Sequence, residues 1–257
     1  MIFDTHAHYD DAQFDEDREE LLENMEKHGV GTIVNVGSTV ASNQTVCELV
    51  ERYPHVYGAV GVHPNEAAQL NEENFKWLAG LLEHNKIVAL GEIGLDYHYD
   101  EPEPDVQKLW FERQLELAGQ KKKPVIIHSR DGAKDTLDMM KAMKAGEIGG
   151  VIHCFSYSVE MAKEYLNMGF FLGIGGVVTF PNAKKLIEVV EYMPIEQLVL
   201  ETDCPYLSPV PYRGKRNSSL NLPYVIEKIA EVKKMDRDAV ECMTEENARR
   251  LYRMDAK

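Results

Sequence analysis

The sequence predicts a (β/α)8 barrel with an extra C-terminal helix, and three observations carry that expectation. Eight short apolar runs recur along 257 residues, most of them bounded by Gly or Pro. Amphipathic stretches of helical spacing separate them. The glycine-rich first turn expected of an open doubly wound sheet is missing. Continuous apolar runs suit parallel strands covered on both faces, and eight strand–helix units in about 250 residues match the size of such a barrel. No low-complexity segment or Pro-, Gly- or Ser-rich linker divides the chain, so 1–257 is read as one domain.

Taken in order, the strands are expected at 2–6, 32–37, 56–62, 87–93, 124–128, 150–154, 170–175 and 198–203. Helical stripes fall between them, first Leu21, Leu22 and Met25, then Val46, Leu49 and Val50, then Phe75, Leu78 and Leu82. Val106, Leu109, Trp110 and Leu117 make the fourth, and Leu137 with Met140 the fifth. Ala162, Tyr165 and Leu166 follow, then Ala183, Leu186, Ile187 and Val190. Val225, Ile226, Ile229 and Ala230 complete the eighth, with Pro223 where a first helical turn tolerates it. A ninth helix is expected over 237–252. The stretch 204–221 is the longest without periodicity and is expected to lie over the active face.

In such a barrel the chemistry sits at the C-terminal ends of the strands. There the sequence places His6 and His8, Asn35, His63, Glu92, His128, His153 and Asp203. The spacing of His6 and His8 puts both rings on one face of an extended strand. Branched aliphatics fill a barrel interior, so packing alone predicts Val or Leu at these places. Histidines and carboxylates ending several strands point instead to metal ligation. Imidazole with carboxylate suits Zn, Mn, Fe or Ni, and carboxylate with water suits Mg or Mn. Six such residues (His6, His8, Glu92, His128, His153 and Asp203) exceed what one catalytic zinc takes. Two divalent ions bridged by one carboxylate is the economical arrangement, and it clamps a displacement at phosphorus.

Composition narrows the class. With 44% hydrophobic and 28% charged residues the chain reads as an ordinary globular protein. No apolar run approaches the ~20 residues that span a bilayer. The first residues lack a basic segment followed by an apolar one, and Cys47, Cys154, Cys204 and Cys242 are scattered, so a reducing cytoplasm is expected. The net charge of −15 argues against broad adhesion to nucleic acid or anionic membrane. It leaves room for a nucleic-acid enzyme whose bound cations offset local carboxylates.

The segments FDTHAH, GVHP, GEIGLDYH, IIHSRD, GVIHCFS and ETDCPYL, the last followed by RGKRN, run in order from residue 3 to 217. In these the chain resembles the TatD family of metal-dependent deoxyribonucleases, within the amidohydrolase superfamily. The resemblance implies that His6 and His8 bind one metal, that Glu92 bridges two, and that His128 and His153 complete the second site. Asp203 would bind the first metal and take the proton of the attacking water. Mg or Mn would serve catalysis, with Zn or Ni as other occupants. The substrate would be DNA, as single strands or 3′ ends cut by a 3′–5′ exonuclease. Two departures stand out: Ser218-Ser219-Leu220 follows RGKRN where relatives carry Glu-Pro, and Tyr157 stands where they carry Gly. Both lie on loops of the expected active face and bear on substrate preference.

Further candidates keep two readings each. His63 either contacts a phosphate or a metal-bound water, or anchors its loop through Pro64. Arg130 shares the face of His128 if that strand extends, and a guanidinium there suits a phosphate. Arg213, Lys215 and Arg216 form a basic cluster that either tracks phosphates or is simply solvated. Lys121, Lys122 and Lys123 meet the dipole at a helix C-terminus on the far side. Alternation turns Cys154 and Cys204 away from the ligands. Gly173, Gly175 and Gly176 lack the Lys-Ser/Thr of a P-loop and keep the mouth open at the seventh strand. The rival functions are hydrolysis of an ester or amide, such as an aminoacyl ester on tRNA or a small molecule, and a non-catalytic metal-binding regulator. The sequence sets no oligomeric state; a monomer suffices.

Overall fold

The computed structural model describes residues 1–254. Its strands are β1 (Ile2–Ala7), β2 (Val30–Val36), β3 (Val56–Val60), β4 (Ile87–Asp96), β5 (Val125–Arg130), β6 (Gly150–Ile152), β7 (Phe171–Ile174) and β8 (Leu198–Leu200). They pair in parallel, in unbroken order from β1 to β8. Ala7 pairs with Cys204 beyond the end of β8, and Thr5 Oγ1 donates to Leu200 O at 2.8 Å, so first and last strands meet. The (β/α)8 expectation holds.

The helices are α1 (Arg18–Asn24), α2 (Val40–Arg52), α3 (Glu72–Leu81), α4 (Pro104–Lys121) and α5 (Ala133–Ala142). After them come α6 (Ala145–Ile148), α7 (Val159–Asn167), α8 (Lys184–Tyr192), α9 (Leu222–Lys233) and α10 (Arg237–Leu251). Their starts follow local chemistry. Thr39 and Asn71 close capping boxes on α2 and α3, Pro104 opens α4, and Asp236 accepts from the first free amides of α10. The short α6 was not expected, because four residues are too few to show a stripe.

Every strand's C-terminal end shifts by one to three residues from expectation, and the shifts at β4, β5 and β8 each move a polar residue. β4 continues past 93 to Asp96, and β5 past 128 to Arg130. Gly94, at φ 149°, lets the two approach so closely that a Cβ there would lie 1.9 Å from the His128 carbonyl oxygen. β8 stops at Leu200, and Asp203 takes φ 55° on the turn that follows.

The core has two parts. A larger cluster packs the helices against the outside of the sheet. A second draws on all eight strands, through Phe3, Val34, Val36, Ala59, Val88, Ala89, Ile126, Val151, Phe171 and Val199, together with Ala248, Leu251 and Tyr252. The C-terminal helix therefore closes the barrel at its N-terminal end. The Tyr252 ring stacks on Phe3 at 6.0 Å between centroids, and its hydroxyl donates to Thr5 O at 2.7 Å. The strand ends that carry the candidate ligands are at the opposite end, where the chemistry of such a barrel sits.

Candidate metal centre

The open end begins with β1, and the strand is fixed from below. Asp4 is fully buried, and its carboxylate accepts from Thr202 Oγ1 and Ser219 Oγ, both at 2.7 Å, and from the amides of His6 and Thr202 at 3.2 and 3.1 Å. Burial pushes Asp4 up to about 7 despite these donors. Ser219 also meets the Tyr9 hydroxyl at 2.9 Å. It thus supports the strand that carries His6 and is itself buried, so this departure does not face substrate as the loop position suggested.

Glu92 stands at the middle of what β1 presents. Its Oε2 lies 3.5 Å from His6 Nε2 and 3.9 Å from His8 Nε2. Its Oε1 lies 2.6 Å from His128 Nδ1, 3.7 Å from His153 Nε2 and 3.8 Å from His63 Nε2. The two oxygens of one carboxylate therefore serve two different sets of imidazoles. Asp203 Oδ1 closes the first set, 3.4 Å from His8 Nε2 and 3.8 Å from both His6 Nε2 and His153 Nε2. His6 and His153 stack face to face at 3.6 Å.

The rings are aimed by partners behind them. His8 Nδ1–H donates to Val36 O at 2.8 Å, which turns its Nε2 to the mouth. Glu201 holds His153 Nδ1 at 3.2 Å and accepts from the Cys154 amide at 2.6 Å. Gly173 makes room for it: a Cβ there would lie 2.1 Å from a Glu201 carboxylate oxygen. Asp96 Oδ2 meets His128 Nε2 at 3.1 Å. Asn35 accepts from the Tyr9 amide at 2.6 Å and donates to Asp10 at 2.7 Å, steadying the turn after His8. Glu201 and Asp96 had no assigned role in the sequence. Each is an acid ending an apolar run, which is the same signal that singled out Glu92.

Charge is concentrated here. Burial alone would raise Glu92, but His153 and His128 outweigh it and hold the carboxyl well below its usual range. Asp203 is likewise lowered, burial being overcome by His153 and His8. Burial disfavours the charged imidazoles too, yet Asp203 lifts His8 to about 9, and Glu201 with Glu92 lifts His153 to about 10. Burial and the neighbouring His128 push His63 down to about 4.

The mouth is a cleft of about 530 Å3. His8, His63, Glu92, His128, His153, Asp203 and Arg130 all line it, so the extended β5 does carry Arg130 to the opening. His63 packs edge-on to His128 at 4.3 Å, and its Nδ1 accepts from the Asn65 amide at 3.2 Å, which anchors its own loop. Arg213 and Lys215 are not among the lining residues. The Arg213 guanidinium lies over Phe180 at 3.9 Å, and Arg216 is bound to Asp17 and Gln13. Tyr157 turns to Ser129, 2.9 Å from its hydroxyl. Cys154 corrects the alternation argument. At φ 46° the backbone leaves the strand, and the thiol comes within 4.8 Å of ligand atoms on His153 and Asp203.

These donors fit divalent cations. Ligand atoms at 2.0–2.2 Å from a shared ion lie about 2.8–3.6 Å from one another, from octahedral to tetrahedral geometry. His6 Nε2 and His8 Nε2 are 3.0 Å apart, and His8 Nε2 and Asp203 Oδ1 3.4 Å. His6, His8 and Asp203 form one group able to hold an ion, and His63, Glu92 and His128 another. The second needs an exchange, since Glu92 and Asp96 engage both ring nitrogens of His128.

Comparison with known proteins agrees with the residues. The family model described as "TatD related DNase" matches residues 3–253. An uncharacterized metal-dependent hydrolase of Bacillus subtilis, YabD, is 44% identical over 255 residues, covering 99% of this chain and all of that one. A protein of Cronobacter sakazakii named 3′-5′ ssDNA/RNA exonuclease TatD is 31% identical, over 99% of each chain. Among solved structures, the TatD homologue YjjV of Escherichia coli K12 superposes with a TM-score of 0.92 at 30% identity, covering 99% of this chain and 98% of that one.

Proposed function

Because this chain belongs to the TatD family of metal-dependent hydrolases, we propose that it hydrolyses phosphodiester bonds of DNA, as a 3′–5′ exonuclease on single strands, with two divalent cations at the barrel mouth. The observation that carries the reading is Glu92, with one oxygen toward His6 and His8 and the other toward His128 and His153. His6, His8 and Asp203 would hold one cation, His128 and His153 the other, and Glu92 would reach both. The imidazole-rich set favours Mn, Zn or Ni for occupancy, whereas Mg would lean on the carboxylates. Bound there, such ions acidify a water and polarise a phosphoryl oxygen.

The protein's own groups do the rest. Asp203, already ionised beside His8, accepts the proton of the attacking water on a carboxylate oxygen. Arg130 reaches the phosphate from the opposite lip with a fork of donors. Glu201 and Asp96 keep the His153 and His128 rings aimed. The name of the Cronobacter relative supports nucleic acid as the substrate class.

A second reading has its own observation. Asp10, Asp11, Glu66, Glu92, Asp96 and Asp203 line the mouth with Arg130 as the one Lys or Arg among them, a poor field for a polyanion. That favours a small ester or amide. Turnover of single-stranded DNA against a panel of carboxylic esters, with Mn, Mg and Zn re-added after chelation, separates the two. For the nuclease reading, Asp203→Asn should lower kcat by about 10²–10⁴ with metal content retained. An unchanged rate in a fully loaded variant would remove Asp203 as the base.

A further inference from the structure

Exposed apolar surface gathers around the mouth. Of the eight large hydrophobic side chains most exposed among the described residues, Tyr99, Tyr206, Leu207, Val210 and Tyr212 sit on the loops that follow β4 and β8. Tyr99 (55% exposed) and Tyr206 (50%) line the cleft itself. β4 and β8 stand four places apart in a ring of eight strands, so their loops face each other across the opening. Glu92 and its imidazoles lie between. Each ring is braced: Tyr206 donates its hydroxyl to Asp11 at 2.8 Å, and Tyr99 is edge-on to His98 at 4.9 Å with the Arg130 guanidinium 5.8 Å away.

Two braced aromatic faces left in water on opposite lips of a polar cleft are not explained by packing. They are explained by a ligand with a flat group on either side of its reacting centre. The charge of the cleft points the same way. Cations would take up Glu92 and Asp203 and meet the scissile phosphate, but Arg130 is the one Lys or Arg among the lining residues, which leaves little to hold the flanking phosphates. Stacking on aromatic rings supplies affinity independent of charge and tolerant of sequence.

We propose that Tyr99 and Tyr206 are stacking platforms for the two nucleobases flanking the scissile phosphate, one on each side of the metal centre. The inference rests on the nuclease reading and deepens it. Bases splayed onto opposite lips must be unpaired and unstacked from each other, so the site takes single strands and rejects blunt duplex. The tyrosines are specificity residues; they touch bases, not the reacting atoms.

The test uses the metal-loaded protein and three substrates: a single-stranded oligonucleotide, the same strand with abasic residues at its last two positions, and its blunt duplex. Tyr99→Ala and Tyr206→Ala should each lower kcat/KM on the intact strand about tenfold, while Tyr→Phe at either position restores most of it. On the abasic strand wild type should itself lose that advantage, and the Ala variants should match it. Equal losses on intact and abasic strands, or no loss on either, would overturn the proposal even if DNA is cleaved. If the loaded wild type cleaves no strand, the nuclease reading fails, and anisotropy with the labelled oligonucleotides decides the rest. Binding that depends on the tyrosines and on the bases keeps the platforms, and no binding removes them too.

Discussion

At the scale of single residues, Glu201 shows how much of the site lies behind the groups that face the mouth. It is 1% exposed, holds His153 Nδ1 and exists where it does because Gly173 leaves the space. Glu201→Gln keeps the shape and removes the charge, and should weaken metal affinity about 10–100-fold, read by competition with a chelator. The imidazoles give a proton signature as well. His8, raised to about 9, and His153, raised to about 10, carry protons at pH 7, whereas a cation binds neutral imidazole. Loading at pH 7 should therefore release protons, and apparent affinity should climb with pH until it levels above the raised pKa values. Calorimetry in buffers of different ionisation enthalpy measures the release; a buffer-independent enthalpy would contradict it. The sequence displayed this layer unevenly. Polar residues ending apolar runs brought His6, His8, Glu92, His128, His153 and Asp203 to notice, and the structure gathers them. Asp96 escaped because the expected strand stopped at 93, and only the close approach at Gly94, a contact between strands, carries it further.

Among the elements, the strands and most helices were legible because each buries one stripe or one run, and that periodicity is local. What α10 does was not. Its span was expected at 237–252, but nothing in the spacing of Val240, Ala248 and Leu251 says that it covers an end of the barrel rather than its side. That placement depends on Tyr252 meeting Phe3 and Thr5, residues some 250 positions away. Tyr252→Ala should cost about 3–5 kcal/mol, as for other large aromatic truncations in a core, measured by urea denaturation. Tyr252→Phe, which loses only the bond to Thr5 O, should cost about 1 kcal/mol. A loss for the Ala variant no larger than for Phe would mean that the ring does not fill the floor. The irregular stretch after β8 reaches the cleft at Tyr206, while Arg213 and Lys215 do not line it and Ser219 is buried. Its interior ties, Ser219 to Asp4 and Asn217 to Thr202 O at 3.0 Å, are hydrogen bonds across the fold that no local pattern announces.

For the whole molecule, a net charge of −15 and an acid-lined mouth set the terms on which any polyanion arrives. If DNA is the substrate, screening should help rather than hinder: kcat/KM on single strands should rise as monovalent salt goes from about 20 to about 150 mM, because repulsion over a Debye length is being removed. A steep fall, as in proteins that grip phosphates with lysine and arginine, would point to a basic surface doing the binding. The closure between β1 and β8, with the last helix beneath it, also sets an order of events during synthesis. A chain emerging from the ribosome exposes β1 first, yet the acceptor of the Thr5 hydroxyl, the side-chain donors to Asp4 and the aromatic partner of Phe3 come from residues 200–252. Neighbouring strands can pair as they appear, but the barrel cannot close on β1 until the last stretch of the chain has been made.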